Sequence, residues 1–313
     1  MNAPLLSIVS PVYASAGIVA PLVERIVAAV APLTADFEIV LVEDGSPDDS
    51  WAQIAAAACR DPRVRGLRLA RNFGQHAAIT AGLAHARGAH VVVMDCDLQD
   101  DPAYIPALLA KAREGYDIVL TRKADRRHVW HRNLGARGFA ALFNLLSGHR
   151  PADPQVGGYS ILSRQIVDAF LQVRDVHRHY LLILGWLGFR TAVVSVEHHP
   201  RHSGQSTYTF QRLLRHALEG ITSQSTLLLK FAVGIGFTYF CASVIGAAYL
   251  CIGYFLHGFR AGWASTIVLL LASTGLILMA IGILGIYIGN IFEQVRNRPL
   301  YLIQDHVNLQ APR

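Results

Sequence analysis

The segment His90-Val91-Val92-Val93-Met94-Asp95-Cys96-Asp97-Leu98-Gln99-Asp100 decides how this chain is interpreted, because an apolar strand runs directly into two carboxylates one residue apart. Side chains in an extended segment alternate between faces, so Asp95, Asp97 and Gln99 are expected to share one side. Three oxygen ligands on one side suit Mg²⁺ or Mn²⁺ and leave coordination positions open for a diphosphate. The spacing alone also fits a solvated turn, so the surrounding sequence has to decide.

The composition indicates a membrane protein with one large polar domain. The chain has 313 residues, 52% of them hydrophobic, and a mean hydropathy of +0.33. Residues 231–256 contain no charged side chain, and residues 261–294 contain only Glu293. Each stretch exceeds the roughly 20 residues that a transmembrane helix needs. We therefore predict two membrane helices, at about 230–256 and 263–290, rather than two buried core helices.

The charges around these stretches predict their orientation. Arg212, Arg215 and Lys230 precede the first stretch, and Arg296 and Arg298 follow the second. By the positive-inside rule, both termini and the large N-terminal part are expected in the cytosol, with the protein integral to the cytoplasmic membrane. No cleavable signal peptide is evident at the N-terminus. The four cysteines have no paired spacing, so neither a disulfide framework nor a zinc site is expected.

The net charge of +6 raises the possibility of a nucleic-acid partner. Basic residues interleaved with aromatic ones are not evident, and no known nucleic-acid module is present, so we expect no nucleic-acid binding. The anionic partners expected instead are a donor diphosphate, a lipid phosphate and the membrane headgroups.

The first 125 residues alternate β-branched runs with Ala-rich runs, which predicts an α/β fold with a doubly wound, mostly parallel sheet. Strands are expected at 5–10, 37–43, 64–69, 90–95 and 117–121, and helices near 17–31, 48–59, 76–87 and 102–113. Later segments predict helices around 133–147 and 175–187, a strand at 191–198, and an amphipathic helix at 210–225 that lies on the membrane surface. In such sheets ligands bind at the carboxyl ends of the strands.

Further motifs follow the other predicted strands: Ser10-Pro11-Val12-Tyr13, Glu43-Asp44-Gly45-Ser46 and Asn72-Phe73-Gly74-Gln75. Together with Asp95-Cys96-Asp97-Leu98-Gln99, the Gly185-Trp186-Leu187-Gly188-Phe189 segment and the Arg201-x-x-Gly204-x-Ser206-x-Tyr208 pattern, they resemble family 2 glycosyltransferases of the GT-A fold. The chain is most similar to the polyprenyl-phosphate glycosyltransferases, the group of dolichyl-phosphate mannose synthase and the bacterial undecaprenyl-phosphate sugar transferases. The resemblance covers nearly the whole chain.

This resemblance implies roles for individual residues. Pro11, Tyr13, Asp44 and Gln75 would bind the nucleotide-sugar, with Asp95 assisting. Asp95, Asp97 and Gln99 would bind Mg²⁺ or Mn²⁺, and a metal there would neutralise charge on the departing nucleoside diphosphate. The acceptor phosphate would be bound by a basic cluster and a hydroxyl: Arg122, Arg126, Arg127, Arg132, Arg201 and Ser206. Guanidinium groups suit this task because they bind phosphate bidentately and keep their charge.

Three departures from the family pattern limit the resemblance. Ala14-Ser15 replaces the usual Asn-Glu pair after Tyr13, and Gly157-Gly158-Tyr159-Ser160 replaces the usual Gly-Asp-Phe-Arg. The segment His177-Arg178-His179-Tyr180 replaces the usual acidic-basic pattern at the head of a helix. Because Gly158 stands where relatives have Asp, an acidic residue proposed to act near the reaction centre is absent. A phosphate monoester is already an anion at pH 7 and needs no general base.

The predicted organisation is a catalytic domain at 1–208, an interface helix at 209–226, two membrane helices within 227–294 and a cytosolic tail at 295–313. The leading hypothesis is an inverting transferase that moves one sugar, from a UDP-sugar by preference, to undecaprenyl phosphate for cell-envelope glycans. The alternatives are a GDP-mannose-dependent mannosyltransferase and a non-catalytic nucleotide-sugar-binding scaffold. A processive synthase is disfavoured because two spans form no polymer channel. Small residues in the spans also suggest a homo-oligomer.

Overall fold

The computed structural model describes residues 5–123, 156–176, 178–196, 227–257 and 262–309. The strands, numbered in chain order, are β1 Leu6–Val12, β2 Phe37–Glu43, β3 Val64–Leu69, β4 His90–Val93, β5 Ile118–Lys123, β6 Val156–Ser163, β7 Thr191–Val196 and β8 Ile303–Val307. The helices are α1 Val19–Val30, α2 Ser50–Arg60, α3 Gln75–His85, α4 Ile105–Arg113, α5 Arg164–Gln172, α6 Tyr180–Leu187, α7 Leu227–His257 and α8 Trp263–Val295.

The strands form one mixed sheet in the order β7-β5-β6-β4-β1-β2-β3-β8. Strands β1 to β5 and β7 run parallel to one another, while β6 and β8 are antiparallel to their neighbours. The predicted α/β class with a mostly parallel, doubly wound sheet is confirmed. The carboxyl ends of the six parallel strands therefore lie along one edge of the sheet, which we call the carboxyl edge, and their amino ends lie along the amino edge.

Helices cover both faces of the sheet because its central strands are apolar on both sides. Every residue of β1 and β2 is buried. One face packs against α1, α2 and α4 through residues such as Ile8, Leu22 and Leu108. The other face packs against α3, α5 and α6 through residues such as Val9 and Ile166. A strand with both faces buried reads as a continuous apolar run, which is the pattern that the sequence shows.

Several elements differ from the sequence-based expectations. Strand β4 ends at Val93 rather than at residue 95. Strand β6, helix α5 and strand β8 were not expected. Helix α6 begins at Tyr180 rather than near residue 175. The reason for the late start is Arg178, whose guanidinium donates to the carbonyls of Phe170 and Val173 at the end of α5 and so occupies the preceding segment.

The chain divides into two compact units, one holding β1 to β8 with α1 to α6, and one holding α7 and α8. Within α8, residues 272–295 are long and apolar enough to cross a membrane; α7 contributes a shorter apolar stretch, Ala232–Gly246. A Cβ atom placed on the described glycines of these helices, including Gly236 and Gly285, would meet no neighbouring atom. The predicted segments 133–147 and 210–225 lie outside the described residues.

Candidate active site

The carboxyl edge is marked by unusual backbone conformations. A residue with positive φ follows each of the first four parallel strands: Ala14 (48°), Gly45 (62°), Gly74 (95°) and Leu98 (59°). These conformations turn the chain sharply out of the sheet. Glycine adopts them at little cost, whereas Ala and Leu do so only under strain. Such strain is typical of sites where the backbone is shaped for a purpose other than stability.

Asp44 lies at the end of β2 and is only 3% exposed. Its two carboxylate oxygens accept hydrogen bonds from the backbone amides of Phe73 (2.7 Å) and Gly74 (2.9 Å). Burial raises the pKa of Asp44, although these two amides act in the opposite direction. The carboxylate therefore fixes the loop between β3 and α3. Its predicted contact with a nucleoside would use lone pairs that remain on the same oxygens.

The loops that follow β1 and β2 are joined by small polar side chains. Ser46 Oγ accepts from the amide of Ala14 (3.1 Å), and Ser50 Oγ accepts from the amide of Ser15 (3.0 Å). These bonds hold the chain immediately after Tyr13, which is 50% exposed. Pro11, the other predicted nucleoside contact on this loop, is buried within β1. Sequence analysis missed this junction, although the Ser- and Asp-rich segment after β2 was its signal.

The two acidic residues lie in a turn rather than in an extended strand. The Gln75 amide Nε2 donates to Asp95 Oδ1 (2.6 Å), and the amide of Gln99 donates to Asp97 Oδ1 (3.1 Å). Asp95, Asp97 and Gln99 are partly exposed, while Leu98 is 6% exposed. The expected alternation of polar and apolar residues is thus present. Strand β4 nevertheless ends at Val93 and the chain turns at residues 96–98, so the predicted extended geometry is wrong.

The donor set at this turn suits a hard divalent cation. Among the described residues, no three or more His, Cys, Asp or Glu side chains form a preassembled metal site. Asp95 and Asp97 supply carboxylate oxygens, and Gln99 supplies an amide oxygen. Mg²⁺ is commonly held by one or two carboxylates together with the phosphates of a substrate. The residues therefore fit a cation that binds together with a nucleoside diphosphate.

The turn that carries Asp95 and Asp97, which we call the acidic turn, is held by hydrogen bonds at two points. Cys96 Sγ donates to Ser15 Oγ (3.5 Å), and Ser15 Oγ donates to the carbonyl of Tyr13 (2.8 Å). Burial raises the pKa of the Cys96 thiol, so it stays protonated at neutral pH. At the other end of the turn, the buried Tyr159 hydroxyl donates to the carbonyl of Asp101 (3.0 Å). These contacts link the β1 loop, the acidic turn and β6.

The part of the site that is predicted to bind the acceptor phosphate, which we call the acceptor side, begins at the end of β5. Arg122 is exposed there, and the neighbouring Thr121 hydroxyl donates to the carbonyl of Tyr159 (2.9 Å). Gly158 on β6 is also exposed, and a Cβ atom at this position would meet no described residue within 4 Å. Gly158 therefore supplies no side chain where the family pattern has an acidic one. The remaining predicted phosphate ligands lie outside the described residues: Arg126, Arg127, Arg132, Arg201 and Ser206.

Two histidines that sequence analysis did not assign to the site lie next to Gln75. The rings of His76 and His179 have centroids 4.7 Å apart, and His76 Nδ1 accepts from the amide of Tyr180 (3.4 Å). The Tyr180 hydroxyl forms a buried hydrogen bond with Ser160 Oγ (2.7 Å). These contacts join the start of α3 to the start of α6 and to β6. No sequence pattern linked the two histidines, because they are more than 100 residues apart.

Comparison with known proteins agrees with this architecture. The family described as "Glycosyl transferase family 2" matches residues 7–171. An uncharacterized glycosyltransferase of Synechocystis is 33% identical, covering 96% of this chain and 95% of the relative. The undecaprenyl-phosphate 4-deoxy-4-formamido-L-arabinose transferase of Proteus mirabilis is 33% identical, with coverage of 98% and 95%. The bactoprenol glucosyl transferase of Shigella phage SfII is 36% identical, with coverage of 86% and 87%.

Proposed function

We propose that this chain, a glycosyltransferase that belongs to glycosyl transferase family 2, transfers one sugar from a nucleotide-sugar to a polyprenyl phosphate at the cytoplasmic membrane. The names of two relatives support this acceptor, since one acts on undecaprenyl phosphate and the other on bactoprenol. We further propose a UDP-sugar as the donor, inversion at the anomeric carbon, and a role in cell-envelope glycan synthesis.

The observation that carries the proposal is the position of the two chain segments that flank helices α7 and α8. Strand β7 ends at Val196 and strand β8 begins at Ile303, both at the carboxyl edge. The carbonyl of Leu302 accepts from the amide of Ala70 (2.8 Å), at the end of β3. The segments that lead to and from the apolar helices therefore start at the edge that carries Asp95 and Asp97. This connectivity supports our proposal of a lipid-borne acceptor.

The same connectivity supports two membrane spans. The strands that precede α7 and follow α8, β7 and β8, both belong to the first unit, so we propose that they lie on one side of a membrane. A segment that starts and ends on one side crosses an even number of times. Helix α8 meets the length and composition of one span, and we propose α7 as the other, with both termini in the cytosol.

The donor would bind at the ends of β1, β2 and β4. Tyr13 offers an exposed ring for stacking on a base, and Asp44 offers oxygen acceptors for a base or ribose. Asp95, Asp97 and Gln99 would hold Mg²⁺ or Mn²⁺, which when bound neutralises charge on the nucleoside diphosphate leaving group. Gln75 orients Asp95 through its hydrogen bond. Bound in this way, the donor would have its anomeric carbon between the acidic turn and the acceptor side.

The acceptor side needs to bind a phosphate but does not need to deprotonate it. Arg122 would hold the phosphate, together with the further predicted residues Arg126, Arg127, Arg132, Arg201 and Ser206. A phosphate oxygen is already anionic at pH 7 and can attack the anomeric carbon from the face opposite the diphosphate. Direct displacement of this kind inverts the configuration. Gly158 has no side chain, which is compatible with a reaction that uses no general base at this position.

The proposal is tested with membranes that contain the full chain, Mg²⁺, undecaprenyl phosphate and a panel of labelled UDP- and GDP-sugars. We expect acid-labile label in the organic phase with one donor, and no label with Asp97→Ala. A GDP-mannose product would replace the UDP-sugar assignment. Nucleotide binding without transfer from any donor would contradict the proposal and favour a scaffold. Analysis of the anomeric configuration of the product tests inversion.

A further inference from the structure

Leu98 has a backbone conformation that leucine rarely adopts. Its φ of 59° lies in the left-handed region, where side-chain-bearing residues other than Asn and Asp are uncommon. Glycine or asparagine would meet the same backbone requirement with less strain. The presence of leucine therefore needs a reason in its side chain.

The Leu98 side chain is buried in the hydrophobic core under the acidic turn. Leu98 is 6% exposed and belongs to the core cluster that includes Met94, Ile105 and Leu108. Removing a leucine side chain from water is favourable enough to offset the left-handed backbone conformation. The strain is thus held in place by packing, as expected where surrounding structure over-determines a local conformation.

The turn around Leu98 is closed by two hydrogen bonds that involve the acidic residues. The amide of Gln99 donates to Asp97 Oδ1 (3.1 Å), which spans Leu98 directly. The amide of Asp95 donates to Asp100 Oδ2 (3.3 Å), which closes the wider loop. A change in the Leu98 backbone would therefore alter the direction of the Asp97 carboxylate before it altered anything else.

We infer that Leu98 is a positioning residue: its buried side chain holds the left-handed turn that sets the direction of the partly exposed Asp97 carboxylate. The inference rests on the proposed function, in which Asp97 binds a cation together with a nucleoside diphosphate. Leu98 is not proposed to contact the substrate. Its contribution is to set the direction of the Asp97 carboxylate.

Substitutions can separate burial from backbone conformation. Isoleucine has the same volume as leucine, but its branched Cβ disfavours the left-handed region. Methionine keeps an unbranched Cβ and an apolar side chain of similar size. Leu98→Ile therefore opposes the turn, while Leu98→Met preserves it. Leu108→Ile in helix α4 is the matched control, because Leu108 is fully buried in the same core cluster.

The experiment measures Mn²⁺ binding to the detergent-solubilised full chain by electron paramagnetic resonance, with UDP or GDP present in separate titrations. The diphosphate that supports tighter Mn²⁺ binding by the wild type is used for the variants. We expect Leu98→Ile to weaken Mn²⁺ binding by about tenfold or more, the effect of shifting a strained turn. Leu98→Met and Leu108→Ile should stay within about twofold of the wild type. In the transfer assay, KM for the donor should rise for Leu98→Ile and KM for the acceptor should not.

Wild-type Mn²⁺ binding by Leu98→Ile, or an equal loss with Leu108→Ile, would overturn the inference. If thermal unfolding shows that Leu98→Ile does not fold, Leu98→Gly replaces it, since glycine keeps access to the turn but no longer enforces it. Several-fold weaker Mn²⁺ binding is then expected, and unchanged binding would overturn the inference. A wild type that binds Mn²⁺ with a diphosphate but transfers no sugar would refute the proposed function and leave the inference intact.

Discussion

The two edges of the parallel sheet both carry carboxylates, but their burial and surroundings differ. At the amino edge, Glu38 is 6% exposed and is paired with Arg65, which is 5% exposed. Glu38 also accepts from Ser7 Oγ (2.6 Å) and from the amide of Arg87 (2.6 Å). At the carboxyl edge, the acidic turn is partly exposed and follows strands that end in strained or left-handed residues.

The contrast distinguishes residues that stabilise the fold from residues that take part in the reaction. The amino edge is a closed network in which charge meets opposite charge and hydrogen-bond donors, so substitutions there should reduce stability without changing the reaction. The carboxyl edge keeps carboxylate oxygens accessible and accepts backbone strain, as expected of a site that awaits ligands. If this division between the edges holds, substitutions at the two edges affect stability and sugar transfer differently.

The largest expected stability change is at the amino edge. Glu38→Gln would leave the buried Arg65 guanidinium without its counter-ion, which should lower the free energy of unfolding by about 3 kcal/mol. Asp61→Asn, which breaks the more exposed pair with Arg63, should cost under about 1 kcal/mol. Thermal unfolding of the detergent-solubilised full chain measures both. Equal, small losses would show that the amino edge is not a stability centre.

A smaller loss is expected from filling space at the carboxyl edge. An added methyl at Gly45 would clash with the backbone of Arg71 and Asn72, whereas at Gly74 it would meet no described residue within 4 Å. Both glycines have positive φ. Gly74→Ala should therefore carry only the backbone cost, about 1 kcal/mol, and Gly45→Ala should lose more, about 2 kcal/mol. The same unfolding measurement compares them, and a Gly74→Ala loss equal to that of Gly45→Ala would contradict the close approach.

Relief of strain at the carboxyl edge should give a small gain. Ala14 has φ of 48°, and asparagine tolerates this region better than alanine, so Ala14→Asn should stabilise the protein by up to about 1 kcal/mol. Ala14→Val should destabilise it, because a β-branched residue disfavours the same conformation. If the unfolding midpoints of the two variants are the same, strain at this position is not a significant contribution.

The smallest effect concerns two thiols. Cys59, near the amino edge at the end of α2, is exposed, whereas burial raises the pKa of the Cys96 thiol beneath the acidic turn. Iodoacetamide reacts with thiolates, so we expect Cys59 to be alkylated at least about tenfold faster at pH 8. Peptide mass spectrometry follows both sites, with Cys59→Ser as the control. Faster labelling of Cys96 would show that the acidic turn opens readily.

The parallel part of the fold was predictable because its strands are apolar throughout. The expected strands at 37–43 and 64–69 match β2 and β3. Strand β6 was missed because Gly157, Gly158 and Ser160 weaken its apolar pattern. Strand β8 was missed because four of its five residues are exposed at the edge of the sheet. Its pairing with β3 depends on a contact across more than 200 residues, which no local pattern reveals.

The common location of the candidate site residues could be predicted from the sequence, and the geometry of the turn that carries them could not. Because parallel strands end at a common edge, Asp44, Gln75, Asp95 and Arg122 could be expected there together. The left-handed turn at Leu98 could not, since leucine in this conformation contradicts local preference and is held by tertiary packing. The role of Asp44 in fixing the loop after β3 likewise depends on tertiary hydrogen bonds.

The claim that the chemistry resides at the carboxyl edge is tested most directly by the initial rate of lipid-linked sugar formation. The rate of Asp97→Asn, normalised to folded protein, is compared with the rates of the wild type and Glu38→Gln. Asparagine can keep the hydrogen bond from the Gln99 amide and lacks the charge. We expect Asp97→Asn to lose about 1,000-fold in rate with its unfolding midpoint unchanged. Glu38→Gln should keep the wild-type rate per folded molecule. Near wild-type transfer by Asp97→Asn would contradict the claim that the chemistry resides at the carboxyl edge.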